Sequence, residues 1–281
     1  MVALGLVDRQ GEHDQNGRVA ATFLSGRPPT DLRPFLRFWN QLSYPRWMQL
    51  EAAIHIDQAL FGFLEFTDEQ QRVFSEGVAV LAAGTAQALA TAYDFSRHRR
   101  VLDLGGGTGS FLLALLPRYS GLAATLFEMP SAAAIARQHL ASTPYAGRIT
   151  VVAGDFFTDV IPARHDAILI ANVVHGYGPD RTRTLFQRLR EHVPEGVRLL
   201  LVDWWTDLTH TQPLFAALMA AEFLINSGGD MYSAEEIRQW LQETGWRLLD
   251  PVPLEGQAYT LSWESNASLR FCVLTLYISF G

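Results

Sequence analysis

Three kinds of residue stand where they can do chemistry: a glycine run at 105–109, single carboxylates that follow apolar runs, and His175 in the segment NVVHGYGPD. The segment LDLGGGTGSF (102–111) packs four glycines into five positions directly after apolar residues. Glycines crowded between a strand and a helix let the backbone approach a ligand closely. A nicotinamide fingerprint needs G-x-G-x-x-G, but Gly105 and Gly107 are followed by Ser110, and the phosphate-cradling G-x-x-x-x-G-K-[ST] is absent. Asp103 stands just before the glycines, where a pyrophosphate would be repelled and a ligand with a cationic amine would suit. Glu128 lies 23 residues after Gly105, a position from which a carboxylate accepts hydrogen bonds from two ribose hydroxyls. In GDFF, Asp155 can accept from an exocyclic adenine amine and Phe156 can line the base. The ordered set points to a nucleoside ligand.

These residues need a scaffold that brings them to one edge. From Arg99 onward, short apolar runs (RVLDLG, ATLFEM, ITVVAG, DAILIAN, VRLLLVDWW) alternate with segments of helical spacing. Strands apolar on both faces and separated by helices predict a parallel sheet between helix layers, with ligands bound beyond the carboxyl ends of the strands. Residues 96–281 are therefore expected to form a doubly wound α/β domain. Its two closing runs, WRLLDPVPL and SLRFCVLTLYIS, are separated by a loop alone and predict an antiparallel edge hairpin. Residues 1–95 read as mostly helical, with a capping box at Thr67 and Gln70.

The composition removes several classes of function. A net charge of −7, with no basic run longer than RHRR (97–100), excludes a nucleic-acid reader, whose binding rests on clustered Lys and Arg. The one cysteine, Cys272, permits neither an internal disulfide nor a cysteine-rich metal site, and a cytoplasmic setting is the default expectation. No apolar run of membrane-spanning length and no secretory signal is evident. His13, His55, His98, His139, His165, His192 and His210 show no metal-ligand spacing. The chain is 11% aromatic, and Trp204, Trp205 and the segment FWNQLSYPRWM (38–48) are candidates for an aromatic acceptor pocket, although such residues more often form core.

VLDLGGGTG, LFEMP, GDFF and NVVHGYGPD together resemble the S-adenosylmethionine-dependent small-molecule O-methyltransferases of the caffeate and hydroxyindole type. The resemblance runs through most of the chain and is strongest between 99 and 245. It implies a Rossmann-like sheet of seven strands with an antiparallel terminal pair, and a helical N-terminal region that dimerises and roofs the substrate pocket. It also implies that Gly105 and Gly107 approach the methionine part of the cofactor, Glu128 holds the ribose, and Asp155 with Phe156 bounds the adenine. Asp103, Met129, Asn172 and Tyr177 complete that wall, Tyr177 standing where members often carry a stacking Trp.

Within the resemblance His175 is the expected general base, because a neutral imidazole can take a proton from a phenol or enol. Asp203, at the end of the fifth strand, is expected to orient it. The family often carries a second acid where this chain has Met231, in GGDMYS. Glu222 is the candidate substitute, although an acid turned to solvent is the commoner fate of such a residue. Members usually begin with a longer helical dimerisation domain before a segment like VALGLVDRQGEHDQNGRVAATFLSG, so most of that domain is expected to be missing here and a homodimer is correspondingly less secure. The acceptor is expected to be an aromatic or polyketide-like hydroxyl. Transfer to carbon or nitrogen, or cofactor binding without transfer, stays open.

Overall fold

The computed structural model describes residues 1–27, 31–62, 65–254 and 274–279. Cys272, and the part of the last apolar run before Leu274, lie outside them. The N-terminal half opens with a two-stranded hairpin, β1 (Val7–Gln10) and β2 (His13–Asn16), followed by α1 (Arg18–Phe23), α2 (Arg33–Phe38), α3 (Tyr44–Trp47), α4 (Leu50–Ile56) and the long α5 (Asp68–Ala92). Between α2 and α3 the helix widens into one π turn over Trp39–Ser43, where the Tyr44 N–H reaches back to the Trp39 carbonyl. Pro45 supplies the reason, since it lacks the N–H the ladder would use next and crowds the preceding turn.

Helix α5 starts at the expected capping box, with Thr67 Oγ1 accepting from the Gln70 N–H and the Gln70 side chain accepting from the Thr67 N–H. It corrects one expectation: its mean hydropathy of 1.4 over an 18-residue window makes it long and apolar enough to cross a membrane. Here its buried face packs instead on α2 and on two helices of the following domain. That packing is how a core helix passes the same compositional test.

The second half runs β3 (Arg100–Leu104), α6 (Ser110–Leu115), β4 (Ala123–Glu128), α7 (Pro130–Ala141), β5 (Ile149–Ala153), β6 (Ala167–Ala171), α8 (Pro179–His192), β7 (Arg198–Val202), α9 (Leu214–Ser227), α10 (Ala234–Glu243), β8 (Arg247–Pro253) and β9 (Leu274–Ser279). Five strands pair in parallel in the order β5-β4-β3-β6-β7. The period-two alternation is visible in the core. Val101, Leu169 and Leu200 face the layer of α5, α6 and α7, while Leu102, Ile168 and Leu199 face that of α8 and α10. Helices on both faces explain why these strands are apolar on both sides of the sheet, with Asp103 a buried exception.

The closing strands differ from a simple edge hairpin. β9 lies inside, antiparallel to both β7 and β8, so β9 alone opposes the sheet and β8 runs with the five. β8 takes the outer edge because Pro251 and Pro253 cannot donate to a central ladder, and its register shifts between Leu249 and Val252. The strand order reverses between β3 and β6. In open α/β sheets the ligand crevice lies at such a switch point.

Candidate active site

At the carboxyl end of β3 the chain turns through Gly105, Gly107 and Gly109, all with positive φ. The space beside Gly107, φ 56°, is open, so the backbone there is bare to whatever enters the cavity beyond it. Glu128, at the end of β4, fastens this loop. Its Oε2 accepts from the Gly107 N–H at 2.8 Å and its Oε1 from the Met129 N–H at 2.7 Å. Burial pushes the Glu128 carboxyl up against the pull of those two donors. Each oxygen keeps capacity for a second hydrogen bond, as a ribose diol would require.

A cavity of about 250 Å³ opens above the loop. Gly105, Gly107, Glu128, Met129, Phe156, Asn172, His175 and Tyr177 all line it, as expected. Asn172, at the end of β6, turns the chain with φ 56°, a conformation asparagine tolerates better than most residues. The Phe156 ring meets Tyr177 edge-on at 5.9 Å, and the Arg181 guanidinium lies over Phe157 and Tyr177.

Two predicted cofactor residues do not reach the cavity. Asp103 is fully buried behind the loop, its carboxyl against Gly106, with both oxygens unpartnered among the described residues. Burial, and then the nearby Glu128, push the Asp103 carboxyl up to about 8. Asp155 spends Oδ1 on the Phe157 N–H at 2.8 Å, closing the turn after β5, and is likewise absent from the cavity wall. An acid next to a ligand-binding loop has the same sequence spacing whether it faces the ligand or braces the turn.

His175 follows β6 in a short 3₁₀ turn and is buried. Its Nδ1 lies 2.6 Å from Oδ1 of Asp203, a residue 2% exposed at the end of β7. A carboxylate at Nδ1 fixes that nitrogen as the donor and leaves Nε2 with its lone pair. The ring is sandwiched, with Phe223 stacked at 3.8 Å and Trp204 parallel within 7° at 5.8 Å. Gly229 supports it from below, because a side chain at that position would run into the His175 carbonyl. In GGDMYS the missing acid is the conspicuous departure, and the role of this glycine lies beside it. Gly228, in the left-handed region, already terminates α9, so the second glycine of the pair was the signal of a close approach.

The roof comes from helices far apart in sequence. Phe35, Phe38 and Trp39 descend from α2 and the π turn, Phe74 and Gln71 from α5, and Met219, Glu222, Phe223 and Asn226 from one face of α9. Trp204 joins this wall, whereas Trp205 packs in the core beneath. Glu222 corrects the expectation of a solvent-facing acid. It is 5% exposed, with Oε1 accepting from Ser43 Oγ and Oε2 from Trp47 Nε1, each at 2.5 Å. Met231 is fully buried among Ala216, Met219 and Phe223, so the position of the family's second acid is here an apolar packing site.

A parallel sheet wound on both faces, with its cavity at the switch point, is the architecture of α/β methyltransferases. The human N-acetylserotonin methyltransferase, solved in complex with S-adenosylmethionine, superposes with a TM-score of 0.83 at 21% identity, over 100% of this chain and 81% of that one. The chain belongs to the O-methyltransferase domain family, which matches residues 47–247. Among curated relatives, the 3-hydroxy-5-methyl-1-naphthoate 3-O-methyltransferase of Streptomyces sahachiroi is 28% identical over 86% of this chain and 72% of its own length. The tetracenomycin polyketide synthesis 8-O-methyl transferase of Streptomyces glaucescens is 27% identical over 91% and 78%.

Proposed function

We propose that the protein transfers a methyl group from S-adenosylmethionine to a hydroxyl of an aromatic or polyketide-like small molecule, with His175 as general base. The observation that carries this reading is the buried His175–Asp203 pair at 2.6 Å, set in the wall of the same cavity that the Gly105–Gly107 loop floors. S-adenosylmethionine is the methyl donor, and when bound it supplies an electrophilic methyl on a sulfonium sulfur.

The residues present fit that molecule. Gly107 leaves its backbone uncovered, Glu128 offers buried carboxylate oxygens with spare lone pairs, and Phe156 and Tyr177, packed edge to face, give an apolar wall against which a base can lie. In this reading Gly105, Gly107, Glu128, Met129, Phe156, Asn172 and Tyr177 hold the donor. Asp103 and Asp155 shape the loops that do so without touching it. Residues 1–95 serve as roof and 96–281 as the transfer domain.

His175 Nε2 takes the proton of the acceptor hydroxyl, and Asp203, bonded to Nδ1, stabilises the imidazolium that results. The stacked Trp204 and Phe223 faces favour the same charge. The aromatic walls hold the acceptor ring so that its oxygen faces the donor, and this alignment supplies much of the acceleration. The proton returns to solvent after the product leaves.

The two Streptomyces relatives are O-methyltransferases, one of a naphthoate and one in tetracenomycin polyketide synthesis, which supports the choice of acceptor class. A homodimer through the N-terminal helices is the assembly we favour, supported by exposed Val19, Phe23, Leu36 and Met48. Incubation with S-adenosylmethionine and a panel of naphthols and hydroxyquinones tests the function, read as S-adenosylhomocysteine and methylated product. Tight donor binding with no product from any acceptor would instead favour a homologue that binds without transferring.

A further inference from the structure

Within the cavity wall the titratable side chains are Glu128, His175, Tyr177 and Glu222. The first three belong to the donor side or to the base. Glu222 stands apart, on the α9 face that also carries Met219, Phe223 and Asn226, in a wall otherwise built from Phe38, Trp39 and Trp204. A carboxylate in such surroundings is costly to desolvate, and its burial raises its pKa.

The chain compensates that cost with groups from elsewhere. Ser43 and Trp47 each donate one hydrogen bond to Glu222 from positions more than 170 residues upstream. Arg46, between them, donates to Asn226 Oδ1 at 2.6 Å, and Asn226 Nδ2 returns a bond to the Glu222 carbonyl at 2.8 Å. Arg46 is itself held over the Phe61 and Phe66 rings, which keeps its charge near the carboxylate without bonding it directly.

Glu222 cannot be the partner of the base, because Nδ1 of His175 is already committed to Asp203. Each Glu222 oxygen accepts a single bond and can take a second, and the residue faces the cavity. Resting on the acceptor class proposed above, we infer that Glu222 selects acceptors carrying a second hydrogen-bond donor, a ring hydroxyl or N–H, away from the oxygen that is methylated. Phe223, the next residue, stacks on His175, so the two recognition points lie on one helix face and are held at a fixed separation. An acceptor lacking the second donor leaves the remaining acceptor capacity of a buried carboxylate facing an apolar edge, and discrimination of this kind is stronger than an apolar wall achieves.

The test uses the full chain saturated with S-adenosylhomocysteine, and calorimetry with a naphthalenediol bearing its hydroxyls on opposite rings against the matching naphthol. The wild type should bind the diol roughly tenfold or more tightly, the scale of one hydrogen bond to a charged group. Glu222→Met should bring the two affinities within about twofold of each other. Glu222→Gln, which keeps the shape and one acceptor, should leave an intermediate ratio of roughly threefold and covers the case in which the Met variant fails to fold. A wild type without preference for the diol, or variants that retain the wild-type ratio, overturns the inference. A merely structural latch would weaken both ligands alike. Because the readout is binding, a diol preference without any turnover would sink the proposed function and leave the role of Glu222 standing.

Discussion

The floor of the cavity, at the carboxyl edge of β3, β4 and β6, sets bare main chain among its side chains, whereas its roof, drawn from α2, α5 and α9, is made of side chains. On the floor, Gly107 presents main chain and the Glu128 side chain serves to hold it. On the roof, aromatic rings and one buried carboxylate meet across segments that share no sequence neighbourhood. A backbone floor suits a ligand that every member of a family shares, since main-chain groups survive most substitutions. A side-chain roof can be changed residue by residue, and the proposed role of Glu222 puts acceptor choice there. His175 lies at the seam, anchored to the floor through Asp203 and clasped from the roof side by Phe223.

Four substitutions sharpen or break this division. His175→Ala should lower turnover by roughly 10²–10⁴-fold, the usual contribution of a positioned base, while calorimetry shows donor affinity within about twofold of wild type. A comparable loss of donor binding would move His175 to the floor. Glu128→Ala should weaken S-adenosylhomocysteine binding by roughly 10–100-fold, because a carboxylate that orders the loop and offers its remaining lone pairs is lost. The loss should be the same with every acceptor, and an acceptor-dependent loss would blur the two walls.

Trp47→Phe should lower unfolding free energy by about 1–2 kcal/mol by denaturant titration, since it leaves Glu222 Oε2 without its donor, and donor affinity should not change. The last of the four, at Asp103, is read against pH. Its folded pKa lies above its unfolded value, so its contribution is fully present below about pH 4 and is lost as pH rises toward about 8. Melting temperature of the ligand-free protein should therefore fall across that window, and Asp103→Asn should flatten the slope. A steeper fall in the variant would show that the carboxyl is ionised and paired.

The same division decided what could be read from the chain alone. The glycine loop, Glu128 and the His175 turn are each contiguous with an apolar run, so strand periodicity alone places them at one edge. Asp103 and Asp155 share the spacing of the cavity residues but stand off its wall, because the pleat decides which face a side chain takes and one oxygen of Asp155 closes its own turn. Glu222 was seen as an acid on an apolar helix, but its partners, Ser43 and Trp47, lie on α3 and its preceding turn, and long-range pairing leaves no local pattern. The closing strands were recognised as an antiparallel pair. Their order across the sheet followed from where two prolines could be tolerated, a constraint on edges that strand periodicity does not report.

The parallel stacking of Trp204 on His175 has an optical consequence. An imidazolium quenches indole emission on contact more strongly than a neutral imidazole does, so the emission of Trp204 follows the protonation of the ring lying on it. The difference between wild-type and Trp204→Phe spectra isolates that signal from those of the other tryptophans. Under the proposed mechanism, following it after rapid mixing with acceptor times the arrival of the proton at His175 separately from the methyl transfer, within a protein that carries its own dye.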